Sequence, residues 1–324
     1  MIPDELKHTK ILKVYKKIRP YIYKTPLIEA SNQLNDYFKT NIFLKCEFLQ
    51  KSGSFKARGA INNILSMDKS KLKNGITAVS AGNHAIAASY VSNLFKLKNK
   101  IFLYKSANKY RVDTCKNFNA KIIFTNPENA FKNVSIAESN GYNFIHPFDG
   151  PYTLQGSATL GLEICEEFIK FKKKIDNVII SVGGGGLVSG AGSFIKQKFP
   201  NAKIYGVEPK LANGMTQSLN KGEPLNNIKL KSIADSLSSP LHMPYSFGVA
   251  KQTIYKMINV TDKELQTSMR FAFENLKLIL EPACAAGLAA LKKIKTSELK
   301  NKNTVLILCG SNIDYRSWKK IAYK

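Results

Sequence analysis

The chain has 324 residues, 44% of them hydrophobic, and carries 49 Lys and Arg against 23 Asp and Glu, a formal net charge of +26. That length supports a sizeable core in one large or two medium domains, and no apolar run approaches the roughly 18 residues of a membrane-spanning helix. Five scattered cysteines (Cys46, Cys115, Cys165, Cys284 and Cys309) include no Cys-x-x-Cys pair, so neither a disulfide framework nor a zinc site is expected.

The positive charge raises nucleic acid or an acidic membrane as partners. Only five of the 49 basic residues are arginine, however: Arg19, Arg58, Arg111, Arg270 and Arg316. Arginine is the better reader of phosphates and bases, and the lysines are spread along the whole chain. The expectation is a lysine-rich solvated surface, with a nucleic-acid-binding basic protein as the non-enzyme alternative. Met1-Ile2-Pro3-Asp4-Glu5 has no basic region followed by an apolar stretch, so no secretory leader is expected. Together with unpaired thiols this suits the cytoplasm.

In chain order, Asp4–Ile18 reads as an opening helix stopped by Arg19-Pro20. Thr25-Pro26-Leu27 is extended, and residues 42–46 read as a strand. The turn Ser52-Gly53-Ser54-Phe55-Lys56 follows, and then a helix over Ala57–Met67 with Ile61, Ile64 and Leu65 on one face. From about Gly75 strands and helices alternate. Strands are predicted at 76–80, 101–104, 121–124 and 143–145, and helices at 85–94, 110–118 and 129–140. Later strands are predicted at 178–181, 203–207, 257–260 and 305–308. This alternation implies an α/β protein with parallel sheets and functional loops at the strands' C-terminal ends.

Three loops and the lysine turn carry chemistry. Lys56, at a strand-to-helix junction beside the Phe55 ring, is placed to lose solvent, so its amine pKa can fall far enough to attack a carbonyl. The natural partner for such an amine is an aldehyde cofactor, pyridoxal phosphate. Ser80-Ala81-Gly82-Asn83-His84 opens a helix whose free N–H groups suit a carboxylate or phosphate. Gly183-Gly184-Gly185-Gly186-Leu187 follows an apolar strand and can wrap a phosphate with backbone amides. A nicotinamide dinucleotide site is the rival there, with Glu208 as the ribose-binding acid. The third glycine of Gly-x-Gly-x-x-Gly would fall on Val188 or Ser189, so that pattern is not satisfied. Cys309-Gly310-Ser311-Asn312, after the last strand, puts a thiol at a strand end.

These four motifs, in this order, resemble the fold-type II pyridoxal-phosphate enzymes, specifically the threonine/serine dehydratase and serine racemase group. Lesser matches at Thr25-Pro26-Leu27, His146-Pro147-Phe148-Asp149, Gly206-Val207-Glu208-Pro209, Ile233-Ala234-Asp235 and Glu281-Pro282-Ala283 extend the resemblance over nearly the whole chain. It implies two open parallel-sheet α/β domains with the active site in the cleft between them: residues 1–65 and 150–324 as the large cofactor-binding domain, and 66–149 as a small mobile one. It implies that Lys56 holds the cofactor covalently and later removes the substrate's α-proton. Phe55 would lie against the cofactor ring, Asn83 would bond its ring oxygen, and Cys309 would face its ring nitrogen. Gly183, Gly184, Gly185, Gly186 and Leu187 would bind the phosphate. Ser80, Gly82, Asn83 and His84 would hold the substrate carboxylate.

The implied reaction is loss of water from threonine or serine, giving a 2-oxo acid and ammonia. Another β-hydroxy amino acid such as 3-hydroxyaspartate, and serine racemisation, are alternatives. A β-replacement synthase is disfavoured by the Ser-Ala-Gly-Asn-His loop. Serine racemases place a second serine, the opposite-face acid/base, where Ala81 stands. Gly156-Ser157-Ala158-Thr159 departs from the usual Gly-Gln-Gly-Thr, and Ser236 stands where many relatives have glycine. Gly214 replaces an aspartate of the cation site that includes Glu208 and the Ala212 carbonyl, so no metal is expected. The chain ends soon after Asp314, so the resemblance implies neither a regulatory domain nor isoleucine feedback. A homodimer is expected from the resemblance alone.

Overall fold

The computed structural model describes residues 2–226, 228 and 231–324; Met1, the first residue of the stretch read for a leader, lies outside the described residues. The strands in chain order are β1 (Leu27–Glu29), β2 (Asn41–Cys46), β3 (Ile76–Ser80), β4 (Asn99–Tyr104), β5 (Ile122–Thr125), β6 (Asn143–Phe144), β7 (Asn177–Ser181), β8 (Lys203–Pro209), β9 (Lys256–Val260) and β10 (Asn303–Leu308). They form a six-stranded sheet in the order β1-β2-β10-β7-β8-β9 and a four-stranded sheet in the order β5-β4-β3-β6. Every pairing is parallel except that of β1, which runs antiparallel along the edge of β2. The α/β expectation therefore holds.

The central strands of the larger sheet are apolar runs covered on both faces, as parallel sheets require. Val178, Ile179 and Ile180 of β7 and Val305, Leu306, Ile307 and Leu308 of β10 are all fully buried. The opening helix differs from its sequence-based extent. A 3₁₀ turn at Asp4–Leu6 and an extended Lys7 (φ −62°, ψ 148°) precede a helix at His8–Ile18. Leu6 and Ile11, on either side of the break, pack into the core of the larger sheet, and the helix carries on to Val14 and Ile18 in that of the smaller.

The helix Lys56–Ser66 joins the two halves. Its Ala57, Ala60, Ile61 and Ile64 pack with Ile76, Ile86 and Ile101 around the smaller sheet. Its other side lies against the long helix Pro151–Lys170, which opens with proline in its first turn. There a Cβ on Gly156 would stand 2.5 Å from the Cα of Gly59, so the crossing demands glycine. Gly156 and Thr159 thus face the lysine-bearing helix, with Thr159 Oγ1 accepting from Arg58 at 3.2 Å, while Ser157 and Ala158 lie against Gly190.

Candidate active site

Lys56 is set by what lies under it. Two residues on, Arg58 is fully buried and donates to two carboxylates. Its Nε and Nη2 reach Glu47 at 2.8 and 2.7 Å, and its Nη1 and Nη2 reach Glu163 at 2.9 and 2.8 Å. Lys45, also fully buried, donates to Glu163 at 2.6 Å and to the Thr25 carbonyl at 2.7 Å. Two cations thus balance two anions, which is the condition for burying charge without a large penalty. The cluster ties β2, the lysine-bearing helix and the long helix together. Gly53 completes the turn before Lys56 at φ +69°, with Asn312 packed where a Cβ would point.

The Lys56 side chain keeps some exposure through the cleft mouth, but protein atoms surround its amine. Burial lowers its pKa to about 8. The amine donates to the Pro147 carbonyl at 2.5 Å and lies 4.9 Å from the centre of the Phe55 ring. The cleft around it spans about 970 Å³ of empty space, open solvent at its mouth included. Phe55, Lys56, Ser80, Gly82, Asn83, His84, the four glycines Gly183–Gly186, Leu187 and Cys309 all line it. Every site residue expected from sequence therefore meets in one place.

Two groups of unused backbone donors face this space. Among the described residues, no protein acceptor takes the N–H groups of Gly183, Gly184, Gly185, Gly186 or Leu187, nor those of Asn83, His84 and Ala85 at the start of the helix Asn83–Leu94. The glycine loop is crowded from behind: a Cβ on Gly184 would meet the Phe148 ring at 2.2 Å, and Gly185 sits at φ +95°. His242 Nε2 donates to the Gly183 carbonyl at 3.2 Å and braces the loop. Ser181 Oγ, which also lines the cleft, is buried without a partner. An anion cradle, a neutralisable amine and an orphaned hydroxyl around one cleft fit pyridoxal phosphate.

Other side chains are committed to neighbours. Ser80 Oγ accepts from the Gly82 N–H at 3.0 Å. His84 is held to about pKa 3 by burial and then by the nearby Lys56, so its ring is neutral; Nε2–H donates to the Ile145 carbonyl at 2.8 Å. Asn83 donates to Glu281 at 2.5 Å and accepts from Asn312 at 2.6 Å. Glu208 accepts from the N–H groups of Met215 and Thr216 at 2.6 and 2.9 Å and from the Thr216 hydroxyl at 2.8 Å. Its carboxylate caps the helix that begins at Gly214, and burial raises its pKa to about 7.

Sequence reasoning missed a second ionic network. Arg111, from the helix Lys109–Asn117 beside the smaller sheet, reaches Asp235 at 2.6 Å, Glu281 at 3.1 Å and the Asn312 carbonyl at 3.0 Å. The signal was present but unread: in a chain so rich in lysine, the few arginines mark places where a planar fork of donors is needed. Burial raises the Glu281 pKa, with Arg111 and Asn83 opposing. Tyr104 and Phe131, also on the cleft wall, carried no sequence signal beyond ordinary core residues.

A parallel two-sheet α/β fold with a buried lysine facing an anion loop defines a cofactor-binding enzyme of amino-acid chemistry. Residues 18–310 match the family described as "Pyridoxal-phosphate dependent enzyme", and the chain belongs to that family. It is 36% identical over 300 residues to a phenylserine dehydratase of Ralstonia pickettii, covering 92% of this chain and 90% of that protein. To an L-threonine ammonia-lyase of Geobacter sulfurreducens it is 30% identical over 315 residues, covering 96% and 77%. Maize serine racemase superimposes with a TM-score of 0.88 at 29% identity, covering 97% of this chain and 95% of that one. The chain is a pyridoxal-phosphate-dependent enzyme of the dehydratase and racemase group, a lyase in its general class.

Proposed function

We propose that the protein is a dehydratase (ammonia-lyase) of β-hydroxy amino acids, with L-threonine and L-serine as reference substrates. The observation that supports this best is the Lys56 amine, held near pKa 8 between the free N–H groups of the glycine loop and those at the start of the helix Asn83–Leu94. Bound pyridoxal phosphate supplies an electron sink for the charge left at Cα when its proton departs. In this reading the amides of Gly183–Leu187 would hold the phosphate, Phe55 would flank the ring, Asn83 would bond the ring oxygen and Cys309 would present its thiol to the ring nitrogen. The Ser80–His84 loop holds the substrate carboxylate, with His84 contributing its backbone N–H while its ring anchors the loop. Lys56, neutral and adjacent, takes the Cα proton. Loss of the β-hydroxyl as water and hydrolysis of the resulting enamine release a 2-oxo acid and ammonia.

Ala81 lines the cleft without a hydroxyl to move a proton on the opposite face, which favours elimination over racemisation. Arg111 is already paired with Asp235 and Glu281, which disfavours a second substrate carboxylate such as that of 3-hydroxyaspartate. We read residues 66–149 as moving against 1–65 and 150–324, the chain as a homodimer, and its compartment as reducing, the cytoplasm, because all five cysteines are free.

The test is release of ammonia and 2-oxo acid from a panel of β-hydroxy amino acids, with the enantiomer of remaining substrate followed in parallel. Turnover to 2-oxo acid with little racemisation is expected. A protein that inverts serine and releases no 2-oxo acid would be a racemase instead.

A further inference from the structure

If the Ser80–His84 loop holds the carboxylate and Lys56 works at Cα, the substrate side chain lies beside that loop. The wall there is apolar and aromatic. Val79, Tyr104 and Phe131 all line the cleft. They come from three elements: Val79 precedes Ser80 in β3, Tyr104 ends β4, and Phe131 stands in the first turn of the helix Ala130–Ser139. One hydrophobic cluster with Phe102 and Val134 packs them together.

Ring contacts hold this wall together. Phe131 meets the Phe144 ring edge-on at 6.4 Å and lies 6.2 Å from His146. His146 lies 5.3 Å from Phe144 and 4.6 Å from Phe148, the ring that backs Gly184. A run of ring contacts thus extends from the cleft wall to the glycine loop, and a preformed wall loses little on binding. Among the described residues that line the cleft, Lys56 is the only Lys or Arg, whereas Asp235 and Glu281 both line it. An anionic side chain is unwelcome there. The methyl of threonine or the bare Cβ of serine leaves most of the aromatic surface uncovered.

We propose that Val79, Tyr104 and Phe131 form a side-chain pocket for a large apolar or aromatic substituent, making β-aryl β-hydroxy amino acids the preferred substrates over threonine and serine. This rests on the dehydratase reading for the reaction, though not for the pocket itself.

The test compares kcat/KM for L-threo-3-phenylserine, L-threonine and L-serine in the holoenzyme. It also compares binding of L-phenylalanine and L-alanine, which lack a leaving hydroxyl, through perturbation of the bound cofactor's visible absorption. Phenylserine should exceed threonine by about tenfold or more, since a single methylene in an apolar pocket already discriminates about 10–200-fold. Phe131→Ala should lower the phenylserine-to-serine ratio at least about tenfold, and Phe131→Leu, which keeps apolar bulk without the flat ring, should lower it less. Preference for threonine or serine, or an equal loss on all three substrates in Phe131→Ala, would overturn the pocket and leave the dehydratase standing. An enzyme that consumes none of the three yet binds phenylalanine over alanine would overturn the dehydratase and keep the pocket.

Discussion

At the scale of single residues, the decisive property is the protonation of Lys56. Burial lowers its pKa, so the reactive neutral amine accumulates as pH rises through about 8 rather than through the ordinary lysine range near 10.4. Uptake of pyridoxal phosphate by the apoprotein should therefore accelerate with pH up to about 8 and level off above it. The growth of the bound cofactor's visible band follows this; a rate still climbing steeply above pH 9 would mean about an unshifted amine. Ala81→Ser restores a hydroxyl on the cleft wall and should raise the ratio of racemisation to elimination on L-serine, read by chiral chromatography against 2-oxo acid release. Lys56, the glycines and the Ser80–His84 loop were legible in the sequence because small residues around one reactive group at strand ends are local patterns. Arg111 was not, because its partners Asp235, Glu281 and Asn312 lie far along the chain and only tertiary packing brings them to it.

At the scale of elements, two packed units place the chemistry. The lysine-bearing helix is anchored by Arg58 to Glu47 and Glu163, all fully buried. Arg58→Met leaves Glu163 with Lys45 and Glu47 with the Thr25 hydroxyl, and should cost about 3–5 kcal/mol of stability, read as a lower urea midpoint. The glycine loop is packed from behind by Phe148. Gly184→Ala forces a Cβ into that ring and should weaken cofactor binding about tenfold to a hundredfold, measured by titrating apoprotein, because overpacking costs about 1–3 kcal/mol. Strand positions were readable from apolar runs, and most boundaries fall within two residues of expectation. The break at Lys7 was not readable, since no proline or glycine marks it, nor was the passage of one helix from the larger sheet's core at Ile11 to the smaller's at Val14.

At the scale of the molecule, two parallel sheets flank a cleft, and ion pairs cross it. Arg111 on the smaller-sheet side holds Asp235 and Glu281 on the other. Removing these bonds with Arg111→Ala should lower the free energy of opening by about 1.5–3 kcal/mol, since hydrogen bonds to charged groups carry that much. Faster hydrogen exchange at the start of the helix Asn83–Leu94, with a raised KM, is the expected readout; unchanged exchange there would show that the halves are held by other contacts. The net charge of +26 was the loudest compositional feature and says least about the reaction. Among the described lysines, Lys45 and Lys56 are the ones whose amines are bonded within the site's interior.

The central claim is that Lys56 performs β-elimination on a β-hydroxy amino acid. The direct measurement is 2-oxo acid and ammonia release by wild type and Lys56→Ala, both supplied with pyridoxal phosphate. Turnover by the wild type and a loss of about a thousandfold or more in the variant are predicted, in the range a positioned acid–base group contributes. A Lys56→Ala protein that released 2-oxo acid as fast as the wild type would contradict the account.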